Sequence, residues 1–233
     1  MKMKIRTLGC TVATLGALAV GSMVATPALA GTITLNFAGL DGANYEAPLD
    51  YYNGGTGGLG TTGGANYGVS FSADAITCTN YLSNSSCNMA AIPGGPGANV
   101  MLFITGVGDI MNVAAGFDTG FAFYYSTPFY DGSVSVYDAL DGTGNILATL
   151  DLPMTVDGSG TPECGLAQYC PFEATGVGFS GTAMSVKFTG NSNHIVFADI
   201  TLGSANPIPE PATLTLLGLA LGGLGFMGRK KAI

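Results

Sequence analysis

The stretch that decides the fold is residues 120–152, GFAFYYSTPFYDGSVSVYDALDGTGNILATLDL. Apolar and polar side chains alternate through 120–126 (GFAFYYS), again through 132–139 (GSVSVYDA), and again through 145–152 (NILATLDL). A period of two sends successive side chains to opposite faces of a pleated ribbon, so each run reads as a β-strand with one face buried. Gly, Asn, Asp and Pro separate the runs, as at Asp141-Gly142, and these residues favour turns.

Working outward, the same alternation recurs at 32–37 (TITLNF), 68–73 (GVSFSA), 100–105 (VMLFIT), 182–189 (TAMSVKFT) and 194–202 (HIVFADITL). No stretch between them has a convincing amphipathic helical period. Short strands at this spacing predict an all-β fold, an antiparallel β-sandwich of jelly-roll type, with a barrel as the alternative. GVSFS at 68–72 is echoed by GVGFS at 176–180. Five positions are too few for a repeat, and the echo reads as two similar sandwich strands. The body, 31–205, is long enough for one domain that buries roughly 70% of its chain surface.

The flanks have a different character. Lys2, Lys4 and Arg6 precede an apolar run to about residue 24, then Pro27 and Ala28-Leu29-Ala30. Basic start, apolar middle and small residues at the end make 1–30 a secretory signal peptide, cut by signal peptidase after Ala30. Cys10 has too little apolar sequence before it to be a lipidation site. Of the seven Lys and Arg residues, three lie in this leader and three at the C-terminus, so Lys187 is the only one between. Fourteen of the fifteen acids, Asp41 to Asp199, lie in the body. So acidic a body repels phosphate backbones, which excludes nucleic acid as a partner.

The tail, 206–233, joins three parts. Pro209-Glu210-Pro211 holds the chain extended. Residues 212–228 are seventeen without a charge, about 25 Å as a helix, which is the short end of a transmembrane span. Arg229, Lys230 and Lys231 then act as a basic stop-transfer cluster that stays in the cytoplasm. This order closely resembles the PEP-CTERM sorting signal of Gram-negative bacteria. The resemblance implies handling by an exosortase, a membrane-embedded enzyme with a cysteine nucleophile that cuts near the motif. It also implies an inner-membrane intermediate and delivery to the cell surface or outside the cell. NYEAPLDYYNGGTGGLGTTGGANYGVSFS (44–72) and FADITLGS (197–204) resemble the bodies of other proteins bearing this signal.

Cys78, Cys87, Cys164 and Cys170 remain after leader removal. An even count in an exported chain reads as disulfides. Of the three possible pairings the local one, Cys78 with Cys87 and Cys164 with Cys170, is favoured, because each pair brackets a polar or Gly/Pro-bearing loop. Zinc is disfavoured by the absence of C-x-x-C spacing and by a single histidine.

Catalysis has little to stand on, and we expect no enzyme. His194 is the one imidazole, no G-x-S-x-G elbow exists, and no spacing singles out a carboxylate pair among Glu46, Glu163, Glu173 and the eleven aspartates. The Gly-rich stretch 54–68 has no lysine and fits no phosphate-binding fingerprint. No cofactor is expected; calcium is the one metal worth watching, at Asp138, Asp141 and Asn145 in DALDGTGN, though the spacing is not that of an EF-hand and turn chemistry explains the same residues. The tyrosines of DYYNGG and FYYSTPFY could stack on sugar rings, but the absence of Trp weakens that reading and core and hairpin packing is favoured. The expected function is a non-enzymatic exported protein of the cell surface or extracellular matrix. The alternative is a carbohydrate-binding module or glycan-active enzyme on the same fold, with extracellular polysaccharide as partner.

Overall fold

A computed structural model describes residues 31–79, 87–95 and 98–207. The leader with Ala28 and Ala30 lies outside the described residues, as do Pro209, Glu210 and Pro211, the apolar span 212–228, and Arg229, Lys230 and Lys231. Among the described residues no helix is long and apolar enough to cross a membrane.

The described chain forms eleven strands: β1 (Ile33–Leu35), β2 (Val69–Phe71), β3 (Ala75–Thr79), β4 (Asn99–Phe103), β5 (Gly108–Phe117), β6 (Gly120–Ser126), β7 (Gly132–Tyr137), β8 (Ile146–Leu152), β9 (Glu173–Gly178), β10 (Ala183–Thr189) and β11 (Val196–Leu202). Two short 3-10 turns, Gly42–Asn44 and Tyr51–Asn53, precede β2. One sheet runs β3-β4-β11-β6-β9, with β1 also pairing β11, and the other runs β2-β5-β10-β7-β8. Pairing between strands is antiparallel. From β4 to β11 the chain crosses between sheets at every connection except the β7–β8 hairpin, which yields the two interlocked Greek keys of a jelly roll.

Alternation explains the packing. Phe121, Phe123 and Tyr125 of β6 point inward to meet Val134, Val136 and Phe188 from the facing sheet. Phe188 lies 4.8 Å from Phe197 and 6.0 Å from Phe121, ring centre to ring centre, in edge-on geometry. Each such side chain removed from water contributes about 1.5–3 kcal/mol.

The six-stranded sheet is covered on its outer face as well. Val100 and Leu102 of β4 and Val196 and Ala198 of β11 join Cys78, Met89 and Ile92 in a second apolar cluster. That is why VMLF and IVFADITL are nearly continuous apolar runs: β4 and β11 are buried throughout. The cover is made from two disulfide-bonded segments, with Cys78 bonded to Cys87 and Cys164 to Cys170. An isolated parallel bridge between Met89 and Tyr169 ties the segments together.

The eight expected strands all form, and β9 overlaps the echo at 176–180. The echoed segments lie on the edges of different sheets. Two further strands have no counterpart in the sequence reading. In β5 the first inward position is Asp109, a polar residue where the alternation calls for an apolar one. In β3 the strand is short and carries Cys78, whose sulfur and neighbours pack outward rather than into the main core.

Candidate functional site

A cleft of about 680 Å³ opens on the outer face of the six-stranded sheet. Its floor is Leu102 of β4 and Ile104 just beyond that strand, with Val196 at the start of β11. The first disulfide segment supplies Cys87, Asn88 and Met89, and the second supplies Gln168 and Tyr169. Phe129 comes from the β6–β7 connection, Asn193 and His194 from the β10–β11 turn, and Tyr45 from the first 3-10 turn. The two walls are stitched by side-chain amides. Asn88 Nδ2 donates to Gln168 Oε1 at 2.9 Å, and Gln168 N donates back to Asn88 Oδ1 at 3.3 Å.

Aromatic rings line one end. Phe129 packs edge-on against Tyr169 at 6.0 Å and against His194 at 5.7 Å, and Tyr130 meets His194 at 4.8 Å. Tyr169 donates its hydroxyl hydrogen to the Asn193 carbonyl at 2.9 Å, and its oxygen lies 3.3 Å from His194 Nδ1. Burial, with a smaller push from Tyr130, raises the Tyr169 phenol to about 12, so it stays a hydrogen-bond donor at any physiological pH.

The tyrosine-rich stretches divide between core and surface. Tyr51, Tyr52, Phe123 and Tyr125 are core residues, while Phe129 and Tyr130 stay 36% and 46% exposed. Thr127-Pro128 marks the break, since the chain leaves β6 there. Asn88, Gln168 and Asn193 were not legible as site residues, because nothing local distinguishes a cleft amide from a turn amide.

The remaining candidates are dispersed. Asp138 accepts from Asn145 N at 2.7 Å and Asn145 Nδ2 at 2.8 Å, which holds its carboxyl below the usual range. Asp141 exchanges hydrogen bonds instead with Asn112 of β5, at 2.8 Å each way. Turn closure thus uses Asp138 and Asn145, while Asp141 ties the turn to β5. Among the described residues no three His, Cys, Asp or Glu side chains converge as a metal site.

Glu46 is buried and accepts from Asp41 N, Leu59 N, Thr61 N and Thr61 Oγ1, which makes it the anchor of the Gly-rich stretch. Glu163 sits beside Cys164 on the surface, and Glu173 lies 3.5 Å from the Tyr125 hydroxyl on β6. The three glutamates are in separate surroundings.

After β11 the chain does not simply leave. Gly203 N donates to Gly120 O at 3.0 Å, and Ser204 and Ala205 turn back over the outer face of β6 and β9. Ser204 Oγ closes this turn by accepting from Asn206 N at 3.1 Å and donating to Asn206 O at 2.9 Å.

Residues 207–231 match the family model of the PEP-CTERM protein-sorting motif. The chain thus carries, directly after this docked turn, a sorting signal of the kind borne by exosortase substrates. No curated protein matches the chain. Among solved structures, a glycoside hydrolase family 43 arabinoxylan arabinofuranohydrolase from Bacillus subtilis is similar over 49% of this chain and 23% of its own, at 22% identity and a TM-score of 0.34. A carbohydrate-binding module, CBM6cm-2 from Cellvibrio mixtus lichenase 5A, is similar over 49% of this chain and 82% of its own, at 14% identity and a TM-score of 0.32. The K3 cleaved adhesin domain of Lys-gingipain from Porphyromonas gingivalis covers 76% of this chain and 92% of its own, at 12% identity and a TM-score of 0.30. Likenesses of this size leave the function of the chain to its own site.

Proposed function

We propose that this chain is a non-enzymatic exported protein of the cell surface or extracellular matrix, delivered there by an exosortase. The observation that carries the reading is the PEP-CTERM motif at 207–231, one residue beyond the docked turn of a disulfide-bonded jelly roll. Signal peptidase removes 1–30 after Ala30. Residues 212–228 then hold the chain in the inner membrane, while Arg229, Lys230 and Lys231 resist transfer because moving a charge across hydrocarbon is costly. Pro209-Glu210-Pro211 waits at the outer face for the exosortase. Two disulfides suit the oxidising compartment this route reaches. The absence of catalysis is supported by how the titratable groups are used: Glu46 anchors a loop, and His194 is bonded to Tyr169.

The test is an immunoblot of membrane and released fractions from an exosortase-bearing host. Replacing Pro209, Glu210 and Pro211 by alanine leaves the anchor but blocks the cut, so a longer species accumulates in the inner membrane. Identical size and distribution for wild type and variant would falsify the sorting reading.

A further inference from the structure

The cleft between the disulfide segments has a composition unlike the rest of the surface. The body carries fourteen acids and one lysine, yet among the described residues no Asp, Glu, Lys or Arg lines the cleft. A phosphate or carboxylate ligand finds no Lys or Arg among those lining residues. The lining instead sets apolar side chains, Phe129 and Ile104 among them, beside the uncharged amides of Asn88, Gln168 and Asn193.

We propose that this cleft binds a neutral glycan. A pyranose ring has an apolar face of C–H groups and a rim of hydroxyls, which matches an exposed aromatic face beside carboxamides. Phe129 provides the exposed ring, and its edge-on contacts with Tyr169 and His194 hold it in place. Gln168 accepts from Asn88 through Oε1, and its side chain also hydrogen-bonds the Asp157 carboxylate, so the amide is held in one orientation at the wall. Asn88 and Asn193 add side-chain amides at the wall, and His194 adds a ring nitrogen. A volume of about 680 Å³ is in the range of small-ligand sites and accommodates a short oligosaccharide rather than a single sugar. The described lining residues on the two sides are already tied to each other by the bridge between Met89 and Tyr169 and by the hydrogen bonds between Asn88 and Gln168.

The proposal rests on the export reading only for where the glycan is met; binding itself is a property of the folded body. The experiment uses exported, oxidised protein on an array of neutral and uronic-acid oligosaccharides. Affinity for array hits is then measured by tyrosine fluorescence, which is readable because the chain has no Trp and ten Tyr. The expected result is binding to one or more neutral glycans and none to the uronic-acid series, weakened at least tenfold by Phe129→Ala and by Ile104→Ala. Val107→Ala, exposed and outside the cleft, leaves affinity unchanged. An array blank for neutral glycans overturns the proposal, as does binding that both cleft variants preserve while folded by circular dichroism. Neither result touches the sorting reading, which stands or falls on the immunoblot.

Discussion

The carbonyl oxygen of Ala205 lies against the Cα of Gly176, where a side chain would otherwise stand. A Cβ at Gly176 meets that oxygen and comes within 2.6 Å of the Ala122 side chain. Gly120, across the same face, is closed in by the backbone of Ser204 and Ala205. The body thereby holds the chain down just before the sorting motif begins.

Gly176→Val must displace either the docked turn or β9, at a cost of about 1–3 kcal/mol. We expect faster proteolysis around residues 203–206 before any loss of the sheet signal in circular dichroism. Gly178→Ala is the control, because its Cβ meets Thr119 O at 3.5 Å and Ala205 Cβ at 4.0 Å, which is ordinary contact. Equal protease sensitivity in both variants means the turn is not held by this glycine.

Glu46 organises the Gly-rich stretch through four hydrogen bonds of 2.7–3.1 Å. Burial alone would raise its carboxyl, but the donors from Asp41, Thr61 and Leu59 together outweigh it and hold the group below its ordinary 4.5. A depressed folded value means stability that is present above pH 4.5 and is lost as pH falls through the folded value. Glu46→Gln turns an amide NH₂ toward backbone donors and should cost about 2–4 kcal/mol at pH 7. Urea midpoints that agree within error at pH 7 refute the anchoring role.

Asp109 pulls the other way. It is 1% exposed, its Oδ1 is hydrogen-bonded by Ser72, and its Oδ2 has no hydrogen-bond partner among the described residues. Burial first, and the Asp74 carboxylate in addition, lift its carboxyl from 3.8 to about 7 against the hydrogen bonds from Ser72, Ile110 and Ala75. A raised folded value makes its contribution most favourable below pH 3.8 and progressively lost as pH rises to about 7. The full span is on the order of 4 kcal/mol. Wild type should therefore melt higher at pH 5 than at pH 8, and Asp109→Asn should flatten that difference. A variant that retains the wild-type slope assigns the pH dependence to another group.

The disulfides close loops of separation 9 and 6, each contributing about 2–3 kcal/mol in the chain-entropy view. Exported protein should show no reactive thiol, and peptide mapping should link Cys78 to Cys87 and Cys164 to Cys170. Reduction should loosen the cleft walls before the sandwich melts, because both segments pack outside the main core. A thiol titrating in oxidised material overturns the export argument, and a different linkage overturns only the pairing.

How much of this was legible in the sequence depended on the range of the interaction. Alternation in 120–126 or 132–139 is enforced by neighbours two residues apart, so those strands could be read directly. Strand β5 escaped because Asp109 breaks the pattern at the core face, and β3 because five residues with a cysteine carry little periodicity. Within the calcium candidate, the bond between Asp138 and Asn145 is local in sequence, whereas the bond between Asp141 and Asn112 crosses to another strand and could not be read locally.

By itself the sequence determined the β architecture, the compartment implied by paired cysteines, and the sorting tail that 207–231 matches. Each is written in contiguous residues, as a two-residue period, a cysteine spacing or a three-part segment order. Only the tertiary structure decided the cleft, the Glu46 cradle and the seat of Ala205 on Gly176. Those depend on crossings between sheets that bring Tyr45, Asn88, Phe129, Gln168 and His194 together from five separate segments. Local chain stiffness cannot encode such a meeting. It is set by which apolar faces must be buried against each other, and that is a property of the whole sandwich.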